Sequence, residues 1–269
     1  MPELPEVETI RHQLKTKLLL QKLVKIEILD PRFTKKISFK GALSIEGEKL
    51  LDIKRKGKYL LFIFEKKGLL WHFGLTGGLI LLNHCLIQPP HKFLRLLLRF
   101  ENEILGYFDI RKFGKIKTFD LPHFPEEIEK LGEDALEIKQ EKFSSILKRS
   151  SKPIKSLLLD QTKIAGLGNI YVDEALFRAG IHPLRKASSL SDEEVAKLYH
   201  TIKMLLKKAI ELRGSSIKDY LDAFGQKGKF QEEHLVYGKK GQKCRFCGQP
   251  LQYLKLNQRG TTFCQTCQS

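Results

Sequence analysis

The strongest chemical signal is a set of four thiols near the end of the chain. Cys244-Arg245-Phe246-Cys247 and Cys264-Gln265-Thr266-Cys267 are separated by sixteen residues. Each C-x-x-C offers two thiolates from one tight turn, and two such turns complete a tetrahedral S₄ site. Zinc is the first expectation, with iron as the alternative occupant of the same geometry. Four protein ligands leave no position for a reacting water, so one structural Zn²⁺ is expected. The intervening Leu251–Leu256 and Thr261–Cys264, around Asn257-Gln258-Arg259-Gly260, read as a β-hairpin with Arg259 near its tip. The fifth cysteine, Cys85, reads as a small hydrophobe.

A second candidate lies at the other end. Met1 precedes the small residue Pro2, a context in which the initiator is normally trimmed to leave a prolyl secondary amine. An α-amino group titrates at about 7.7–8.0, so a usable fraction is unprotonated near neutrality and nucleophilic. Taken alone, Pro2 and Pro5 are better read as stiffening the entry to the first helix. A third candidate is Gly166-Leu167-Gly168-Asn169, which opens a helix after the stretch that begins at Lys155. Backbone N–H groups at such an N-terminus can seat a phosphate; a packed helical hairpin explains the same pattern equally well.

These groups must be held by elements that the hydrophobic pattern outlines. The 269 residues are 42% hydrophobic, enough to bury a core, and carry 48 Lys+Arg against 31 Asp+Glu, a formal net charge of +17. Four zinc-bound thiolates would lower that to about +15. Such a charge attracts polyanions, with nucleic acid ahead of an anionic membrane surface. No run of about 18 uncharged apolar residues is present, as a spanning helix would need. The acidic, proline-punctuated start resembles neither a secretory signal nor a transit peptide, so a cytoplasmic protein is expected.

Val7, Ile10, Leu14 and Leu18 form one helical stripe over 5–20. Short apolar or alternating runs at 23–29, 58–64, 69–73, 79–82, 93–100 and 104–110 predict a β-sandwich or flattened barrel, with a hairpin turn at Glu101-Asn102-Glu103. Residues 121–137 read as a linker, after which the period becomes helical. Ser191 and Glu194 form a capping box that opens a long helix ended by Gly214.

With these motifs in order, the chain resembles the bacterial formamidopyrimidine-DNA glycosylases. The resemblance is carried by MPELPEVETI at the N-terminus, Gly57-Lys58-Tyr59-Leu60, Asp109-x-Arg111-Lys112-Phe113-Gly114, AGLGNIYVDE at 165–174 and RGTTFCQTCQ at 259–268. It implies an α+β fold: an N-terminal β-sandwich domain (1–120), a linker (121–137), a helix-two-turn-helix domain (138–232) and a C-terminal zinc-finger β-hairpin (233–269). Double-stranded DNA bearing oxidised bases or abasic sites would lie in a cleft, bound by a monomer.

The implied activity is excision of oxidised purines such as 8-oxoguanine and formamidopyrimidines, followed by β- and δ-elimination at the abasic site. Pro2 would be the nucleophile and Glu3 the acid/base at the sugar. Glu6 matches a family acid near the same site, and helix capping explains it equally well. Lys58 would contact phosphate and assist β-elimination, Arg259 would serve δ-elimination, and Asn169 and Lys155 would complete a phosphate clamp. Arg111 and Phe113 would fill the gap left by a flipped base, with Leu75 in place of the usual methionine. His72 would touch the DNA backbone, a satisfied core histidine being its alternative.

Register leaves both His91 and Lys92 as candidates for a further DNA contact, and Arg149 and Lys152 as candidates for another. Residues 215–231 match a flexible base-recognition loop. Two other expectations remain: an endonuclease VIII-like enzyme for oxidised pyrimidines, opposed by PELPEVE and the Arg111/Phe113 pair, and a catalytically silent DNA-binding protein, opposed by intact Pro2, Glu3 and Lys58.

Overall fold

The computed structural model describes residues 2–30, 43–84 and 91–269, with Leu43 and His91 described by backbone alone. Cys85 and Met1 lie outside the described residues. The chain packs as two compact units, Met1–Lys130 with Ile210–Gln231, and Leu131–Ala209 with Glu232–Ser269.

The first unit begins with helix α1 (Leu4–Leu18), with Pro5 in its first turn, where a missing N–H costs nothing. Eight strands follow: β1 (Leu23–Ile28), β2 (Asp52–Lys56), β3 (Tyr59–Ile63), β4 (Lys67–His72), β5 (Gly77–Leu81), β6 (Leu94–Phe100), β7 (Ile104–Asp109) and β8 (Lys115–Asp120). They form two antiparallel four-stranded sheets, ordered β1-β6-β7-β5 and β2-β3-β4-β8. Residues of both sheets share one core: Phe62, Leu69 and Trp71 from one, Leu79, Leu98, Leu105 and Tyr107 from the other. Val7, Ile10, Leu14 and Leu18 of α1 complete it. The helical stripe and the strand alternation thus point at a common apolar interior, as the spacing predicts. The short helix α2 (Glu126–Glu129) follows β8.

The second unit carries β9 (Glu133–Asp134), α3 (Gln140–Lys148), α4 (Ile154–Leu158), β10 (Ile164–Ala165), α5 (Asn169–Ala179), most of α6 (Asp192–Glu211), and the hairpin β11 (Gln252–Leu256) and β12 (Arg259–Phe263). Strands β9 and β10 pair in parallel, so part of the expected linker is ordered structure of this unit. The capping box forms: Ser191 N–H donates to Glu194 Oε2 at 2.8 Å, and Glu194 N–H to Ser191 Oγ at 3.2 Å. Residues 210–231 pack with the N-terminal unit, and the cysteine-rich hairpin packs with the helices. No helix among the described residues is long and apolar enough to cross a membrane.

Candidate functional site

The N-terminus is fixed before any chemistry is asked of it. Pro2 is buried and Glu3 is 3% exposed at the N-cap of α1. Glu6, one turn on, accepts the Glu3 N–H on Oε2 at 2.8 Å and the Ser215 N–H on Oε1 at 2.7 Å. Both carboxylate oxygens therefore hold backbone, and Glu6 positions its neighbours while capping the helix. A carboxylate suits this place because the helix N-terminus favours negative charge.

Lys58 lies in the two-residue turn between β2 and β3. Gly57 comes first in that turn at φ +58°, a conformation glycine adopts without a steric penalty. The Lys58 residue is 7% exposed. The adjacent Tyr59 pairs in register with His72 of β4, their rings 4.7 Å apart, and His72 pairs in turn with Lys115 of β8. Burial, and then the charges of Lys58 and Lys115, lower the His72 pKa to about 4. Its Nδ1 accepts the Gly74 N–H at 3.3 Å. The ring is thus neutral at pH 7, with its proton on Nε2: a donor, not a cation.

The three side chains expected to fill a gap in DNA are exposed. Leu75 is 40% and Phe113 54% exposed, and Arg111 is exposed as well. Leu75 sits between β4 and β5, Arg111 and Phe113 between β7 and β8. The two loops touch through backbone: at Gly74, φ +59°, a Cβ would lie 2.5 Å from the Phe113 carbonyl carbon.

Asp109, wholly buried at the end of β7, joins them. Its Oδ1 accepts from the Thr76 hydroxyl at 2.6 Å. Its Oδ2 accepts from the Gly114 N–H at 2.8 Å and the Tyr107 hydroxyl at 3.1 Å. Thr76 Oγ1 then accepts the Arg111 N–H at 2.9 Å. Asp109 opens the Asp109-x-Arg111-Lys112-Phe113-Gly114 motif, in which only Arg111 and Phe113 carry an expected role. Its placement at a strand end, where Asp is otherwise disfavoured, is the available signal. Of the neighbouring basic candidates, Lys92 is exposed over the Phe93 ring, and His91 opens a short 3₁₀ turn with its side chain outside the described residues.

In the second unit the adjacent acids of the 165–174 motif divide their work. Asp173 Oδ1 lies 2.5 Å from Lys155 Nζ, and Asp173 Oδ2 accepts the Thr262 N–H at 3.2 Å. Glu174, fully buried, accepts the backbone N–H groups of Leu235, Val236 and Tyr237. One acid thus grips the hairpin and the other the segment that leads into it.

Lys155, which the resemblance places in a phosphate clamp, is 0% exposed. Its ammonium instead donates to the Gly260 carbonyl at 2.9 Å, as does Asn169 Nδ2 at 2.9 Å. The neighbour of that carbonyl, Arg259, is exposed at the hairpin tip. Burial raises the Asp173 pKa to about 6 against the opposing pull of Lys155. Lys152 is exposed and pairs with Asp160 at 3.3 Å.

The four cysteines close the second unit. Sγ of Cys244 lies 3.8 Å from that of Cys267, and Sγ of Cys247 lies 3.4 Å from that of Cys264; all four fall within 4.8 Å of one another. A tetrahedral zinc with Zn–S of about 2.3 Å requires sulfurs about 3.8 Å apart, so the set fits one structural Zn²⁺. Among the described residues this is the one cluster of that kind.

A two-sheet sandwich, a helical unit and a four-cysteine hairpin together define the architecture of a base-excising DNA glycosylase. Three family descriptions match in succession: the formamidopyrimidine-DNA glycosylase N-terminal domain over 1–116, the H2TH domain of the same enzymes over 131–220, and the zinc finger found in FPG and IleRS over 241–269. The formamidopyrimidine-DNA glycosylase of Lactococcus lactis strain IL1403 is 42% identical over 275 residues, covering 100% of this chain and 99% of the relative. A crystal structure of a Lactococcus lactis FPG mutant with Fapy-dG-containing DNA superposes with TM-score 0.89 at 38% identity, and so does one of Lactococcus lactis Fpg with DNA containing an abasic site. Both cover 100% of each chain. The chain belongs to the formamidopyrimidine-DNA glycosylase family.

Proposed function

We propose that this protein is a bifunctional DNA glycosylase and abasic-site lyase acting on double-stranded DNA with oxidised purines, formamidopyrimidines foremost, in the bacterial cytoplasm. The observation that carries the reading is the exposed trio Leu75, Arg111 and Phe113, fastened on buried Asp109. A protein that removes a base from the stack must fill the space it leaves. An apolar wedge serves the neighbouring step, and a guanidinium can hydrogen-bond the orphaned base.

With Met1 removed, the Pro2 nitrogen attacks C1′ of the damaged nucleotide. The N-glycosyl bond breaks, its electron pair leaves with the base, and Glu3 protonates the opening sugar ring oxygen. The resulting iminium has no N–H proton to lose and stays an electron sink. Loss of a C2′ proton then expels the 3′ phosphate, and a second elimination expels the 5′ phosphate. Lys58 steadies the phosphate beside the lesion, with neutral His72 as a hydrogen-bond donor next to it.

Arg259 grips phosphate for the second elimination, held in place by Lys155 and Asn169 through Gly260. Lys92 and Lys152 add exposed charge for backbone contact, and residues 215–231 meet the flipped base. Bound zinc supplies a covalent cross-link that fixes the hairpin; every chemical step belongs to the protein's own groups.

Borohydride trapping on an 8-oxoguanine duplex tests this. A covalent adduct is expected with the Met-trimmed protein and none with Pro2→Gly. Tight binding without an adduct would leave a silent DNA-binding protein, and preference for thymine glycol over 8-oxoguanine would move the enzyme to oxidised pyrimidines.

A further inference from the structure

The segment 215–231 is expected to be flexible, yet its second half is bolted to the sandwich. The Gln13 side-chain amide, on the solvent-side edge of α1, uses both of its ends there. Nε2 donates to Asp222 Oδ2 at 3.0 Å, and Oε1 accepts the Ala223 N–H at 2.8 Å. The Ala223 carbonyl accepts the Leu81 N–H at 2.8 Å, at the end of β5. Ala223 therefore has donor and acceptor both engaged, and its methyl is buried in the sandwich core.

Asp222 is fully buried and organises the turn that follows. Its Oδ1 accepts the N–H groups of Phe224 at 3.0 Å and Gln226 at 2.8 Å, and Arg213 Nη1 approaches Oδ2 at 3.3 Å. Leu221 and Phe224 pack against buried side chains of the sheets. By contrast Ile217, Lys218 and Asp219 are exposed.

We infer that Gln13 is a positioning residue for base recognition. Its amide clamps Asp222 and Ala223, holds 220–226 as a fixed anchor, and confines the movement of the segment to the few residues around Lys218. A loop that is already ordered loses less conformational entropy when it closes on a base, so the clamp should tighten binding of base-bearing substrates. It should do nothing for an abasic site, which offers no base to close on. The inference rests on the reading that 215–231 meets the flipped base.

The test uses the full-length, Met-trimmed zinc protein and Gln13→Ala, a helix-compatible truncation. Gln13→Glu accompanies it, keeping size and acceptor but setting a second carboxylate against Asp222. Hydrogen exchange without DNA should be roughly tenfold faster at the Ala223 amide in Gln13→Ala, the factor one such hydrogen bond commonly supports. KM for an 8-oxoguanine duplex should rise at least threefold with kcat little changed, while cleavage of an abasic duplex stays at the wild-type rate. Unchanged exchange at Ala223, or equal losses on lesion and abasic substrates, would overturn the assignment. A wild-type protein inactive on 8-oxoguanine would defeat the functional reading instead, and the exchange measurement would still decide whether the clamp exists.

Discussion

Glu6 holds Glu3 by its backbone: the Glu3 N–H donates to Glu6 Oε2 at 2.8 Å, while Glu6 Oε1 takes the Ser215 N–H at 2.7 Å. Glu6, which matches a family acid by position and a helix cap equally well, has both oxygens committed to backbone, one of them to Glu3. Glu6→Gln turns one of those oxygens into an NH₂ facing an N–H donor. The expected cost is about 1–3 kcal/mol of stability, with a slower borohydride-trapping rate and little change in DNA affinity. Urea unfolding and single-turnover trapping check the two halves separately.

Asp109 is the common partner of Thr76, Tyr107 and Gly114. Asp109→Ala leaves three buried donors without that acceptor and should cost about 2–4 kcal/mol. Arg111→Ala keeps the backbone N–H that Thr76 Oγ1 accepts, removes only an exposed side chain, and should leave stability within about 0.5 kcal/mol. It should nevertheless weaken the preference for cytosine opposite the lesion, read as the ratio of excision rates opposite C and opposite A.

The His72 ring titrates at about 4 in the folded protein, below its unfolded value of 6.5. Between those values the unfolded state binds the extra proton. The stability contributed by the neutral ring is complete above about pH 6.5 and is lost as pH falls toward 4. The loss attributable to this site should be at most ~3 kcal/mol. His72→Phe should flatten that part of the stability profile, and the imidazole NMR titration of the wild type should have its midpoint near 4.

Lys155 and Arg259 should separate in a salt titration. Arg259 is exposed, so Arg259→Ala should reduce the log–log salt slope of DNA binding by about 1. Lys155 is enclosed with Asp173, so Lys155→Met should leave the slope intact and cost about 3–5 kcal/mol of stability instead. Lys155→Met with Asp173→Asn should recover part of that loss, because the buried charge goes while an acceptor remains for the Thr262 N–H.

Chelating the metal should unfold the hairpin, since binding and folding are one equilibrium in such modules. Loss of near-ultraviolet signal from Tyr253, with Trp71 fluorescence unchanged, would report disorder confined to the region of the cysteines. DNA affinity should fall, and restoration by Zn²⁺ should return both.

Much of this was legible in the residues. The strands of the sandwich appear as alternation, the hairpin turn at 101–103 as a polar break, α6 as a capping box, and the metal site as two C-x-x-C turns. What escaped has a common physical cause. Lys155 reads as part of a phosphate clamp, and nothing in the spacing marks Asp173 as the acid it pairs with. Asp109 and Asp222 carry no pattern that marks them as organisers, although each gathers hydrogen-bond donors from its own buried position. The packing of 210–231 with the N-terminal unit rests on side chain–backbone bonds from Glu6 and Gln13 to residues some two hundred positions away. No periodicity encodes bonds of that kind.

Because the first unit is built from two separate stretches, the chain passes between the units three times. Residues 131–209 are consequently a loop whose two ends are both anchored in the first unit. If the second unit melted while the first stayed folded, those roughly 80 residues would form a closed polymer ring, not a free tail. Closing a ring of that length removes a few kcal/mol of disorder from the melted state. The interleaved chain path therefore stabilises the helical unit without a single added contact, in the way that a disulfide does, and a protein cut between residues 130 and 131 would lose that contribution.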